Sequence, residues 1–204
     1  AFAYSQRMQR HGKYSIGAMD IATDDYEPAG AAQTNFSVLR IKRDVLRRSN
    51  VGVLMTRRAP LTSGNGGANL VGGVDANFSF FQALNILGYY ARSDTQSRTG
   101  DDHSYRAALD YAGDRYGFQI ERLVVGEDFN PELGFLRRAD FGRTYVGSRF
   151  SPRPKNSTLL RKVGVEGSVD YIVDGNGDLE TRQAAAGANI EFNSGDRWAL
   201  DFTR

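Results

Sequence analysis

The sequence predicts an all-β protein: an antiparallel up-and-down transmembrane β-barrel, present here as a partial barrel of about twelve strands in a single domain, 1–204. Three observations carry the prediction. Apolar residues recur at every second position in segment after segment, helical spacing fails, and short connections tend to alternate with long polar ones. The alternation is clearest from Val74 to Phe80, where Val74, Ala76, Phe78 and Phe80 oppose Asp75, Asn77 and Ser79.

The same period of two returns along the chain. Tyr105, Ala107, Leu109 and Tyr111 oppose Arg106 and Asp110; Tyr116, Phe118 and Ile120 oppose Gln119 and Glu121. Val163, Val165, Val169 and Tyr171 oppose Glu166, Ser168 and Asp170, and Trp198, Leu200 and Phe202 oppose Asp201 and Thr203. Such unlike faces are the signature of strands. Helical stripes do worse: no window sustains apolar residues at i, i+3, i+4 and i+7 without Gly or a charge. The nearest, around Leu39–Leu46, follows β-forming Phe36–Ile41 and reads as strand running into a turn.

Strands are therefore expected at about 2–9, 13–23, 34–43, 51–58, 70–80, 84–93, 103–111, 116–125, 144–152, 161–173, 179–192 and 197–204. Short links at His11-Gly12, Phe81–Ala83, Ala112–Arg115 and Asn193–Asp196 alternate with long polar ones near 24–33, 59–69, 94–102 and 126–143. The pattern breaks near 153–160 and 174–178. An up-and-down barrel with two unlike rims produces such alternation. Several segments reach the roughly 9–11 residues that a tilted membrane strand needs. Tyr89, Tyr90, Tyr105, Tyr116, Tyr145 and Trp198 fall near strand ends, where an interfacial girdle would place them.

Composition sets the bounds. A net charge of +2, from 26 basic and 24 acidic residues, gives no field that points to nucleic acid. The absence of cysteine removes disulfides, thiolate metal sites and cysteine nucleophiles together. The mean hydropathy of −0.48 reads as polar, yet barrel strands show lipid only every second residue, so a low average is compatible with a membrane. Residues 1–5 have neither the basic nor the apolar stretch of a secretory leader, and the pattern is cut at Arg204; both lead us to expect an excerpt from a longer exported chain. Polar residues facing inward, Asp75, Asn77, Glu121, Glu166 and Asp170, imply a wet or plugged lumen, because a dry core would make them costly.

The segment Phe129-Asn130-Pro131-Glu132-Leu133-Gly134-Phe135-Leu136-Arg137-Arg138-Ala139-Asp140-Phe141 resembles an uncharacterised bacterial barrel family, domain of unknown function 5916. Further similar segments are Val38–Asp44 with Arg48–Gly52, Gly73–Phe78, and Asp110-Tyr111 to Arg122, so the resemblance covers most of the chain from about residue 35. It implies an outer-membrane barrel. Relatives in that family often carry a preceding module similar to family 9 carbohydrate-binding domains, which implies an adjoining carbohydrate-binding module or carbohydrate itself as a partner beside the lipid bilayer. No such module lies in this chain.

Candidate sites are few. The loop around Phe129, Asn130, Glu132, Phe135, Arg137 and Arg138 combines Arg and aromatics, the types that anchor recognition; it reads as a structured rim loop, as one folded inward as a plug, or as one packed on a neighbouring domain. Asp174, Asn176 and Asp178 place oxygen ligands at alternate positions as a calcium loop does, but Leu179 stands where glycine is needed, and Asp-Gly and Asn-Gly are hairpin formers. Asp101-Asp102-His103-Ser104 has the residue types of a hydrolytic triad, yet neighbours on a strand point to opposite faces. Gly64-Asn65-Gly66-Gly67 lacks the Lys-Ser/Thr of a phosphate loop and reads as a flexible connection.

The expected function is that of an outer-membrane barrel, a channel, transport element or membrane anchor linked to carbohydrate handling, and not an enzyme, with no cofactor. A soluble ligand-binding β-barrel and a membrane hydrolase at the rim are the alternatives.

Overall fold

Backbone pairing between neighbours in sequence organises the molecule. The computed structural model describes residues 3–61, 67–96 and 98–204. Within them lie twelve strands: β1 (Ala3–His11), β2 (Tyr14–Thr23), β3 (Thr34–Leu46), β4 (Ser49–Pro60), β5 (Asn69–Phe80), β6 (Leu84–Thr95), β7 (His103–Ala112), β8 (Tyr116–Val125), β9 (Phe141–Phe150), β10 (Leu160–Asp174), β11 (Leu179–Phe192) and β12 (Arg197–Thr203). They form one antiparallel sheet in chain order from β1 to β12, an up-and-down arrangement left open at its two ends, as part of a barrel is. Each expected strand is found. The starts of the first strand and of the glycine-rich loop, at residues 1–2 and 64–66, lie outside the described residues.

Differences are local. β3 continues to Leu46, past the expected turn, because a register shift between Asp44 and Leu46 lets it pair on to Ser49 and leaves only two residues in the link. The long connection after β2 holds a single turn of 3-10 helix at Glu27–Ala29. Gly12 takes a left-handed φ of 59° in the two-residue link after β1, the conformation such hairpins require. The three-residue link after β5 has no glycine, so Phe81 and Gln82 adopt positive φ (52° and 69°) at a steric cost.

Contacts group the residues into two compact units within what the sequence reads as one domain. The first comprises Ala1–Phe78, Gly88–Tyr105 and Val124–Asp140; the second comprises Ser79–Leu87, Arg106–Leu123 and Phe141–Arg204. Strands β5 to β8 run through both.

Each unit has two unlike faces. In the first, Ile16, Ile41, Val53 and Val74 are cross-strand partners in one row, and Ala18, Leu39, Met55 and Gly72 form the next. The opposite face carries Lys42, Gly52 and Asp75 in one row and Arg40 and Leu54 in the next. In the second, Phe150, Val165, Ala188 and Leu200 align on one face, while Arg149, Glu166, Gly187 and Asp201 align on the other. The register is fixed because a slip of one residue would exchange the faces.

Burial is inverted relative to a water-soluble sheet. Val53, Met55, Val74, Val165, Val169, Leu200 and Phe202 on the apolar faces are exposed, whereas among the described residues the most completely buried side chains are the polar Asn69, Ser93 and Ser104, and the buried apolar ones are few: Ala59, Val71, Ala108, Val125 and Phe129. A soluble one-layer sheet would bury the apolar face instead.

Small residues make room for charge. A Cβ at Gly52 would sit 2.8 Å from the Arg40 guanidinium and 2.9 Å from the Asp75 carboxylate, whose ion pair passes over it. Gly52→Ala is expected to separate that pair at a cost of about 1 kcal/mol or less. In chemical unfolding the loss should shrink in an Asp75→Asn background; an equal loss in both backgrounds would mean that the backbone, not the pair, fills the site.

Candidate functional site

Paired charges organise the polar face of the second unit. β8 carries Glu121, 6% exposed although charged. A carboxylate so placed needs cations, and it has two: Arg106 from β7 donates through its terminal nitrogen, and the Arg143 guanidinium from β9 lies 3.6 Å away. Arg143 in turn donates to Asp170 on β10, at 2.8 Å from Nε and 2.6 Å from the terminal nitrogen. The result is a ladder of alternating sign, Arg106, Glu121, Arg143, Asp170, across four consecutive strands. Arg143 also lies 5.6 Å from the ring centre of Tyr145.

Next to this ladder the same face opens into a concavity of about 510 Å³. Gly117, Gly147 and Gly187 keep its floor low, and Asp110, Gln119, Arg149, Glu166 and Asp201 line it. Arg149 is held by backbone carbonyl oxygens, with 2.8 Å to that of Gly113, and by Ser151 Oγ at 2.9 Å. The polar face thus carries a charge ladder beside a concavity lined by one guanidinium and three carboxylates, Asp110, Glu166 and Asp201.

The 15-residue connection between β8 and β9 meets the polar face of the first unit. Arg58 of β4 makes an ion pair with Glu132. Asn69 of β5 donates from Nδ2 to the carbonyl oxygen of Asn130 at 2.9 Å and to Thr95 Oγ1 at 2.8 Å. Ser93 Oγ of β6 accepts the backbone N–H of Asn130 at 2.9 Å. Pro131 disfavours a helical conformation at Asn130, and a turn closes from the Gly134 N–H to the Pro131 carbonyl at 2.7 Å. Phe129 is buried beside these contacts, whereas Phe135, at 86% exposed, projects away from them.

Of the loop residues that the sequence singles out, the structure therefore brings Phe129, Asn130 and Glu132 onto the sheet and leaves Phe135, Arg137 and Arg138 exposed on the following arm. Sequence reading missed their partners Arg58, Asn69 and Ser93. A lone Asn at the start of a strand looks like a turn residue, and Ser93 carries no signal of its own.

The remaining candidates are not assembled into centres. Asp174 Oδ1 accepts the backbone N–H groups of Asn176 (3.0 Å) and Asp178 (2.8 Å), so its carboxylate organises the hairpin, with Gly177 at a φ of 91°. Among the described residues no group of three or more His, Cys, Asp or Glu side chains converges as metal ligands would. His103 lies 3.6 Å from Asp101 and stacks between Tyr90 and Tyr105 on the apolar face, with ring centres at 6.2 and 6.0 Å. Ser104 points the other way, donating to the Val124 carbonyl at 3.0 Å and meeting Tyr89 Oη at 3.1 Å. Nucleophile and base thus stand on opposite faces. Tyr89 and Tyr145, expected in a girdle, belong to the polar faces, whereas Tyr116 stacks on Phe150 at 5.2 Å under Arg115.

Removing the carboxylate at the centre of the ladder should matter more than removing a surface one. Glu121→Gln is expected to cost about 2 kcal/mol, since it removes the carboxylate that Arg106 pairs with and one of the two that face Arg143. Asp114→Asn, which breaks the exposed pair with Arg153, should leave the unfolding midpoint unchanged. Equal, negligible effects would show that Glu121 is solvated like any surface acid. Compared with known proteins, the chain matches no family model, no curated protein and no solved structure.

Proposed function

We propose that this chain is part of a bacterial outer-membrane β-barrel, with its apolar face in lipid and its charged face lining a watery interior, and that it serves the passage of polar solutes. The single observation that carries this reading is the inverted sheet: side chains of membrane-compatible type are exposed along the strands, and the charges are gathered and paired on the other side. Strand lengths agree with it, since β3 to β11 have 10–15 residues. So does the backbone, because strand-to-strand pairing satisfies the amides that lipid cannot. The mixed signs of the lining suit neutral, hydroxyl-rich solutes better than a strongly charged one. The resemblance to the barrel family with carbohydrate-binding companions points the same way and supports a second role as anchor for such a module.

Neighbouring residues on opposite faces test the membrane directly. Leu54 and Met55 are similarly exposed, at 37% and 46%, so a protein surrounded by water would treat a charge at either alike. In lipid vesicles, Met55→Lys is expected to cost about 2–4 kcal/mol in urea unfolding, and Leu54→Lys about 1 kcal/mol or less. Equal costs would overturn the assignment of faces to lipid and water.

Cysteine scanning of residues 74–80 in native membranes gives an independent reading, with no native thiol to interfere. Positions 75, 77 and 79 should react with a water-soluble reagent, and 74, 76 and 78 with a lipid-phase one. Protection of the even positions from both reagents would mean a packed soluble core.

A further inference from the structure

We infer that residues 126–140 are a latched constriction: the backbone of Asn130, held by Asn69 and Ser93, fixes this connection across the charged face and thereby sets the aperture available to a solute. The inference rests on the proposed passage of polar solutes and adds to it the element that limits passage. Three strands contribute. β4 supplies Arg58 to Glu132, β5 supplies Asn69 to the Asn130 carbonyl, and β6 supplies Ser93 to the Asn130 N–H, so both backbone groups of one residue are taken by side chains of two strands.

These anchors are fully buried, Asn69 at 0% and Ser93 at 1% exposed, so water does not compete for them. Ser93 is itself positioned by its hydroxyl, which donates to the Asp102 carbonyl at 3.3 Å while accepting from Asn130. Further along the loop, the Asp128 N–H donates to the Asp101 carbonyl at 3.0 Å. A surface loop free to move would not engage fully buried side chains near the strand ends through its own peptide groups.

Two features suit a constriction more than a rim decoration. All three anchoring side chains stand on the face that bears the Arg40–Asp75 pair, not on the apolar face. Beyond the latch the chain reverses at Pro131–Gly134 and presents the exposed Phe135, followed by Arg137 and Arg138. The exposed Phe135 ring and the exposed Arg137 offer a stacking surface and hydrogen-bond donors to a polyhydroxylated solute.

The test pairs accessibility with conductance. A single thiol reporter, Asn130→Cys, keeps the latch, because Asn130 is held through its backbone. Its labelling by a water-soluble thiol reagent is compared with and without Asn69→Ala and Ser93→Ala, and each protein is inserted into planar bilayers in potassium chloride. Loss of both hydrogen bonds is expected to raise the undocked fraction, and with it the labelling rate, roughly tenfold or more, and to raise single-channel conductance. Unchanged labelling together with unchanged, measurable conductance would overturn the latch while leaving the passage reading intact. Faster labelling with no current through either protein would overturn the passage reading and the aperture role with it. A Ser93→Thr variant, which retains the hydroxyl, should restore slow labelling; if it labels as fast as Ser93→Ala, the hydroxyl is not the anchor.

Discussion

A strand cannot turn one residue to one face without turning the next to the other, and in this chain that constraint is combined with an apolar face left bare. Because the sheet is one layer of neighbouring strands, every charge excluded from the apolar face must be accommodated on the opposite one. There the charges stand one strand apart, close enough to pair across the sheet. Arg106, Glu121, Arg143 and Asp170 solve the problem with alternating signs, and Arg40 with Asp75 solves it by reaching over Gly52. Glycines of the polar face are therefore part of its electrostatics: a side chain at Gly52 would occupy the space in which the Arg40 guanidinium meets the Asp75 carboxylate, and one at Gly187 the space taken by the Asp201 and Glu166 side chains.

The connection at 126–140 obeys the same logic. A segment crossing a polar face can be held by ion pairs alone, but exposed ion pairs contribute little and are screened by salt. Here one ion pair is joined by two hydrogen bonds to buried side chains, and these go to peptide groups, not to loop side chains. The seat is consequently encoded in the strands. The loop sequence has only to supply Pro131, which disfavours a helical Asn130, and an apolar Phe129, which is buried next to it.

Strands, order and faces were legible from the sequence because all three follow from period-two alternation, a local property read within five or six residues. The rows Val74, Ala76, Phe78 and Val163, Val165, Val169 could be assigned to one face before any pairing was known, and β10 confirms it by placing Val165 opposite Phe150 and Ala188. Residue pairs far apart in sequence were not legible. Asn69 and Asn130 are 61 residues apart, Arg58 and Glu132 are 74, and nothing local distinguishes these polar residues from turn or surface ones. The faces of the aromatics were half legible for the same reason: nearness to a strand end can be read locally, but Tyr89 and Tyr90 are adjacent, and which of them stands on the apolar face depends on the neighbouring strand's register. Phe81 and Gln82 were legible as a link and illegible as a strained one, since neither residue type favours positive φ.

The placement of the longest connection argues most strongly about the medium around the first unit. In water, covering exposed Leu, Val and Met side chains would gain about 1.5–3 kcal/mol for each one fully buried, and a 15-residue connection is the element best able to do so. It goes to the charged face instead, where it meets Arg58, Asn69 and Ser93, while Leu39, Val53, Met55 and Val74 stay exposed. A sheet that gives its longest connection to polar groups and leaves its aliphatic rows uncovered supports the proposed surroundings, in which those rows would incur no penalty. Hydrocarbon is such a medium, and in it the need for cover passes from side chains to backbone amides, which the strand-to-strand ladder already satisfies.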